Sequence, residues 1–291
     1  MNEFMQYLFS GLTSGAIYAA IAVGFSMLFR STELINFAHG DFVMMGALSL
    51  MTFWSGWRLP LPLALLLAIG LVAAVGLLLE RFTMRTKIKD NPIALVIMTV
   101  GASIFLRGVA MLAWGKDAHS VPDFIDSSPI SIGGAALLPQ SLCIILVVVA
   151  LVAALQFFFR HSLTGKAMQA SAVNKAAARL AGIPTDLMVL LAFFMSAAMG
   201  AIAGVVIAPM TMSSYDMGTM LGLKGFCAAM LGGLGSIWGA VLGGFLLGVL
   251  ESFSVGYFMS NLKDLIAFLL LLLILYVRPG GIISARNVKR F

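Results

Sequence analysis

The residues of this chain that could do chemistry are few, and most stand inside apolar sequence. In "INFAHGDFVMMGA" (35–47), Asn36, His39 and Asp41 fall close together. An ionisable residue in a membrane-length apolar run is costly and functional by default, unless it lies near an end of the run. Two readings therefore stand for the trio. Asn36 or Asp41 could cap the free N–H groups of a helix start, or the three could line or gate a solute path. One histidine and one acid supply too few ligands for zinc, so no metal site is expected. Glu251 ends another apolar run and Arg107 lies inside a third; each is expected to face protein or water, with a partner that spacing does not identify.

No motif for covalent catalysis is present. The chain lacks a G-x-S-x-G elbow, an H-E-x-x-H helix and a paired cysteine set. Cys143 and Cys227 lie far apart in apolar runs and read as small buried residues. "LTGKA" (163–167) shares only a Gly-Lys pair with a phosphate-binding G-x-x-x-x-G-K-[ST] loop. The expectation is a non-enzyme with no cofactor; if the protein pumps, another chain supplies the energy.

The elements that position these residues follow from composition. Of 291 residues, 61% are hydrophobic and 10% charged, against about 25% charged in soluble domains. Apolar segments are expected at about 5–29, 36–53, 60–80, 92–114, 135–159, 187–210, 218–252 and 256–277, several reaching the ~20 residues of a membrane span. The runs are continuous, which excludes the alternating strands of a membrane barrel. The fold expected is all-α: a polytopic transmembrane helical bundle of about eight segments in a single domain, 1–291. The amino terminus lacks the basic start of a cleavable signal, so the first segment is expected to be a retained span.

Basic residues gather in three connections: Arg81, Arg85, Lys87 and Lys89; Arg160, Lys166, Lys175 and Arg179; and Arg278, Arg286, Lys289 and Arg290. The positive-inside rule places all three in the cytoplasm and the acidic connection with Asp117, Asp123 and Asp126 outside. The net charge of +6 is thus a topology signal, and nucleic acid is not expected as a partner. Three segments lie between the second and third basic regions, so one must cross twice or not at all. The seventh is too long and is interrupted by "LGGLGS" (231–236). Gly232, Gly233, Gly235 and Ser236 are expected to divide it into a re-entrant pair or two short halves. Such breaks line substrate paths in transporters, although glycines also allow close helix packing. Substituting Gly235 by leucine is expected to fail through crowding.

One stretch looks soluble: "RHSLTGKAMQASAVNKAAARLAGIPTD" (160–186). A helix is expected over about 165–181, capped by Thr164 and ended by Gly182 ahead of Pro184. Met168, Ala172, Ala176 and Leu180 form a modest apolar stripe beside a Lys175–Arg179 ridge. Without Trp or Phe it would anchor poorly on lipid; small residues and a basic ridge suit docking in a protein groove.

"AARLAG" (177–182), which includes Ala177, Ala178 and Arg179, resembles the A-A-x-x-x-G core of the cytoplasmic loop of ABC-importer permeases, with Ala176 where that motif carries Glu. "INFAHGDFVMMGA" and "GLKGFCAAMLGGLGSIWGAVLGGFLLGVLE" (222–251) are similar to the early and late signatures of the permease subunits of branched-chain amino acid ABC importers. The resemblance spans almost the whole chain. It implies a multi-pass protein of the bacterial inner membrane that works with a second homologous permease, two ATPase subunits and an extracytoplasmic solute-binding protein. The 160–186 helix would be the coupling element, and the substrate a small molecule: Leu, Ile or Val, or a related amino acid or amide. The rival reading is an ion-coupled secondary transporter, for which Asp41, Glu251, Glu80 and Asp216 are the available carboxylates.

Overall fold

One long helix organises the bundle. The computed structural model of the chain describes residues 2–84, 92–125, 128–132, 135–257, 263–278 and 280–283. Arg85, Lys87 and Lys89 of the first basic connection, Asp126 of the acidic one, and Arg286, Lys289 and Arg290 of the tail lie outside the described residues. Helix α1 (Asn2–Thr32) is followed by α2 (His39–Leu50), which runs on as a π-helix over Met51–Gly56. Then come α3 (Leu61–Met84), α4 (Pro92–Trp114) and a short antiparallel hairpin, β1 (Ile130–Ile132) and β2 (Ala135–Leu137). Helices α5 (Pro139–His161), α6 (Leu163–Val173), α7 (Lys175–Leu180) and α8 (Thr185–Ile207) follow, and α9 (Met217–Gly232), α10 (Ile237–Tyr257) and α11 (Lys263–Val277) complete the fold.

Among the described residues, six helices are long and apolar enough to cross a membrane: α1, α3, α4, α5, α8 and α10. Their burial sorts them. In the most apolar window of α1, 78% of residues are buried inside the bundle, against 17% in α4. Helix α1 is therefore the core, and α4 presents most of its surface outward. Small residues make this core possible. A Cβ on Gly11 would lie 2.8 Å from the Val249 Cα, and one on Gly15 2.8 Å from the Phe245 Cα, so α1 and α10 touch backbone to backbone.

The two ends of the bundle differ. At one end Arg30 of α1 stacks over Phe159 of α5, next to the α6–α7 connection. The ends of α1 and α3 meet α8 there around Thr32, Glu80 and Asp186. At the other end the Gln6 side chain exchanges two hydrogen bonds with Ala136 of the hairpin, at 2.9 and 3.3 Å.

The break in the seventh segment falls where the glycines placed it, at residues 233–236 between α9 and α10. Gly233 (φ +106°) and Gly235 (φ +83°) hold backbone conformations that a side chain disfavours. The halves, however, are not both short. Helix α9 has 16 residues, but α10 has 21 and spans alone. It continues through Glu251 to Tyr257 because the carboxylate is paired inside the bundle and does not end the helix. The break also lies at the basic end: Ile282 and Ile283 N–H groups donate to the Leu231 and Gly232 carbonyls at 2.9 Å.

Candidate functional site

The 160–186 region is an elbow of two helices rather than one. Ser162, not Thr164, caps α6: its Oγ accepts from Gly165 N–H at 2.8 Å. Asn174 stops the first helix in an extended conformation and starts the second, its Oδ1 accepting from Ala177 N–H at 2.9 Å. The end is as expected. Gly182 takes φ +81°, and Ile183 N–H donates to Ala178 C=O at 2.9 Å, the hydrogen bond of a Schellman turn.

The expected docking stripe is divided by the fold. Met168 and Ala178 are buried against the bundle, while Ala172 is half-buried. Lys166, Ala176 and Ala177 are exposed, and so are the apolar Leu163, Val173 and Leu180, the last at 91%. The Lys175–Arg179 ridge leans back on the chain. Arg179 donates to Thr185 Oγ1 at 2.8 Å and to Asp186 at 3.0 Å, and Lys175 lies 3.8 Å from the same carboxylate. Exposed pairs of this kind contribute under about 1 kcal/mol, so they orient the elbow more than they stabilise it. Beside it opens a polar cleft of about 790 Å³, walled by Glu33, Glu80, Lys175 and Asp186 among others.

Inside the bundle, the early trio separates into different jobs. Asn36 forms a turn ahead of α2, its Oδ1 accepting from Ala38 N–H at 3.0 Å. No side chain caps α2 itself, so neither Asn36 nor Asp41 is its cap. His39 is fully buried, with Phe25 4.6 Å away edge-on and Ser196 Oγ 3.2 Å from Nδ1. The imidazole sits where Gly24 leaves room, since a Cβ there would overlap it. Asp41 is buried and faces Arg107 of α4, whose Nη1 donates to Thr219 Oγ1 of α9 at 2.9 Å.

A second cluster joins α1, α9, α10 and α11. Lys224 Nζ lies 2.9 Å from Glu251 and 2.7 Å from Asp264; Lys263 lies 3.1 Å from Glu251, and Tyr18 donates to Glu251 at 3.1 Å. Two positive and two negative groups cancel, which is how the buried Glu251 and Lys224 charges are tolerated. The sequence signal for Lys224, absent from the residues considered above, is a single cation inside the seventh apolar run. At the break, Gly232 packs on Gly239 and Gly243 on Ala228, while Ser236 Oγ accepts from Gly239 N–H at 3.1 Å. At Gly235 a Cβ alone would meet the Phe29 ring at 3.5 Å, an ordinary contact, so the constraint at the first side-chain atom is the positive φ.

Long apolar helices around a charge-paired interior, with a glycine break between the shorter α9 and the long α10, define a polytopic helical membrane permease. Residues 7–275 match the family described as branched-chain amino acid transport system permease component, and the chain belongs to that family. It is 35% identical to the high-affinity branched-chain amino acid transport system permease protein LivH of Escherichia coli K12, over 99% of this chain and 97% of that one. It is 33% identical to BraD, the corresponding permease protein of Pseudomonas aeruginosa, over 99% and 98%. The autoinducer 2 import system permease protein LsrC of Escherichia coli K12 (DH10B) is 30% identical, over 98% and 83%.

Proposed function

We propose that the chain is one of two related permeases of an ATP-binding-cassette importer in a bacterial inner membrane, carrying branched-chain amino acids released by a binding protein. Two separate ATPase subunits would hydrolyse ATP, and this chain would be non-catalytic. Nucleotide binding would shift the permeases between outward and inward access, a two-state equilibrium biased by the partner. The substrate follows the names of LivH and BraD; LsrC, named for another solute, makes a substrate panel part of the test.

The observation that carries the reading is the elbow: a basic, capped helix pair that leaves Leu163, Val173 and Leu180 exposed without a partner of its own. With the basic end in the cytoplasm, the four helices α8 to α11 return the chain to the side it left, as two basic flanks require. The amino terminus, tied to the hairpin, would then lie outside. Against ion coupling, Glu251 is already held by two lysines.

Ala177→Arg and Leu180→Asp test the elbow, since both positions are exposed. Insertion and binding-protein docking should survive, while ATPase co-purification and coupled hydrolysis fall together. Full ATPase retention by both variants would remove the elbow from this role. Ala178 is a poor probe of docking because its side chain packs inward.

A further inference from the structure

Two of the charged clusters among the described residues are not equivalent. In the Lys224 cluster the ion pairs are short, 2.7–3.1 Å, although the second Glu251 oxygen, Oε2, accepts no hydrogen bond. The Asp41–Arg107 pair is open. Its approach, Nε to Oδ1, is 3.8 Å, too long for a hydrogen bond. The Asp41 side chain is 2% exposed, yet Oδ1 accepts no hydrogen bond. Buried charges are ordinarily both paired and hydrogen bonded; Ser103 also faces this carboxylate, yet its Oδ1 has no donor among the described residues.

Arg107 offers the complementary half. Nη1 holds Thr219 at 2.9 Å, and Nε reaches the Ser103 carbonyl only at 3.5 Å. The side chain is 30% exposed, and its five-donor fork holds more donors than these contacts use. The backbone beneath is fixed. The starts of α2 and α9 meet at Gly40, Gly218 and Gly222, where a Cβ on Gly222 would lie 2.9 Å from the Gly40 Cα. Asp41 and Thr219 each adjoin one of these contact glycines. Arg107, by contrast, rides on α4, the least buried of the six long helices.

We propose that Asp41 and Arg107, with Thr219, form an intramembrane subsite that takes the α-ammonium and α-carboxylate of the transported amino acid. The ammonium supplies donors to the unmet Asp41 oxygen, and the carboxylate accepts from the guanidinium fork, a geometry that lysine does not reproduce. The inference rests on the amino acid transport proposed above, and it places head-group selection at the junction of α2, α4 and α9.

Asp41→Asn and Arg107→Gln, each purified with its partners and reconstituted into proteoliposomes, test it. Initial leucine uptake should fall at least about tenfold, the loss of one charge-assisted hydrogen bond or more. Assembly with the ATPase subunits and docking of the loaded binding protein should stay within about twofold of wild type. The double variant Asp41→Leu/Arg107→Leu separates a site from a structural pair, because apolar replacement of a structural pair is often neutral. It should assemble without transporting; leucine uptake near wild type would overturn the subsite. A second measurement keeps both charges. Alkylation of the partly exposed Thr219→Cys should be slowed by leucine and not by isocaproate, which lacks the ammonium. Equal slowing by both, or by neither, would also overturn it. If the wild-type complex carries no amino acid at all, the transport reading fails; if wild type and variants all carry leucine, only the subsite fails.

Discussion

Replacing Lys224 with methionine removes one charge from a buried cluster while keeping most of the side chain's length. The lysine is 7% exposed and touches two carboxylates, Glu251 at 2.9 Å and Asp264 at 2.7 Å. Asp264 is 48% exposed and recovers much of its interaction from water or lipid head groups. Glu251, 2% exposed, cannot. Stranding a buried partner costs about 3–5 kcal/mol. Here Glu251 keeps Lys263 at 3.1 Å and Tyr18 at 3.1 Å, so the cost falls at or below the lower end of that range, about 2–3 kcal/mol. At about 2–4 °C per kcal/mol for a chain approaching this size, the midpoint should fall by about 5–10 °C. The assay is the fraction of detergent-purified protein that stays monodisperse on gel filtration after heating. Lys224→Met/Glu251→Leu should regain at least half of the loss, since no buried carboxylate is then stranded. A Lys224→Met midpoint within about 2 °C of wild type, or a double variant less stable than the single, would refute the reasoning.

Glycine substitutions should divide by what a Cβ would meet. Gly11→Ala places its methyl 2.8 Å from the Val249 backbone and should lower the midpoint by about 1–3 kcal/mol worth of stability, whereas Gly101→Ala and Gly108→Ala on α4 meet nothing within 4 Å and should be neutral or better in the same melt. Gly182→Ala has open space but φ +81°, so it should cost about 1 kcal/mol and loosen the elbow, read as faster proteolysis near residue 182. Cysteines at Lys166 and Asp123, in a background lacking Cys143 and Cys227, should label from opposite sides of the membrane; labelling from one side would overturn the assigned topology.

What the sequence made legible was set locally. Length and apolar character sufficed for the long helices, because a span needs about 20 such residues whatever surrounds it. Gly182, Gly233 and Gly235 were readable as stops for the same reason: positive φ is a property of the residue itself. The elbow's break at Asn174 was locally encoded too, as an asparagine three residues before an alanine N–H, but the alanine-rich run around it favoured one continuous helix. The charged interior was not legible, because pairing is made between helices. Glu251 looked like the end of a segment until Lys224 and Lys263, on α9 and α11, neutralised it. Arg107 had no visible partner because Asp41 and Thr219 reach it from α2 and α9. Once paired, the two clusters have separate consequences. The tighter one joins four helices through ion pairs of 2.7–3.1 Å, so its loss should appear in the melting midpoint. The open one leaves an acceptor and part of a guanidinium fork unused, so its loss should appear in uptake. The difference lies in how tightly the charges are held: a solute has little to gain against the short ion pairs on Glu251, and more against the 3.8 Å approach of Arg107 to Asp41.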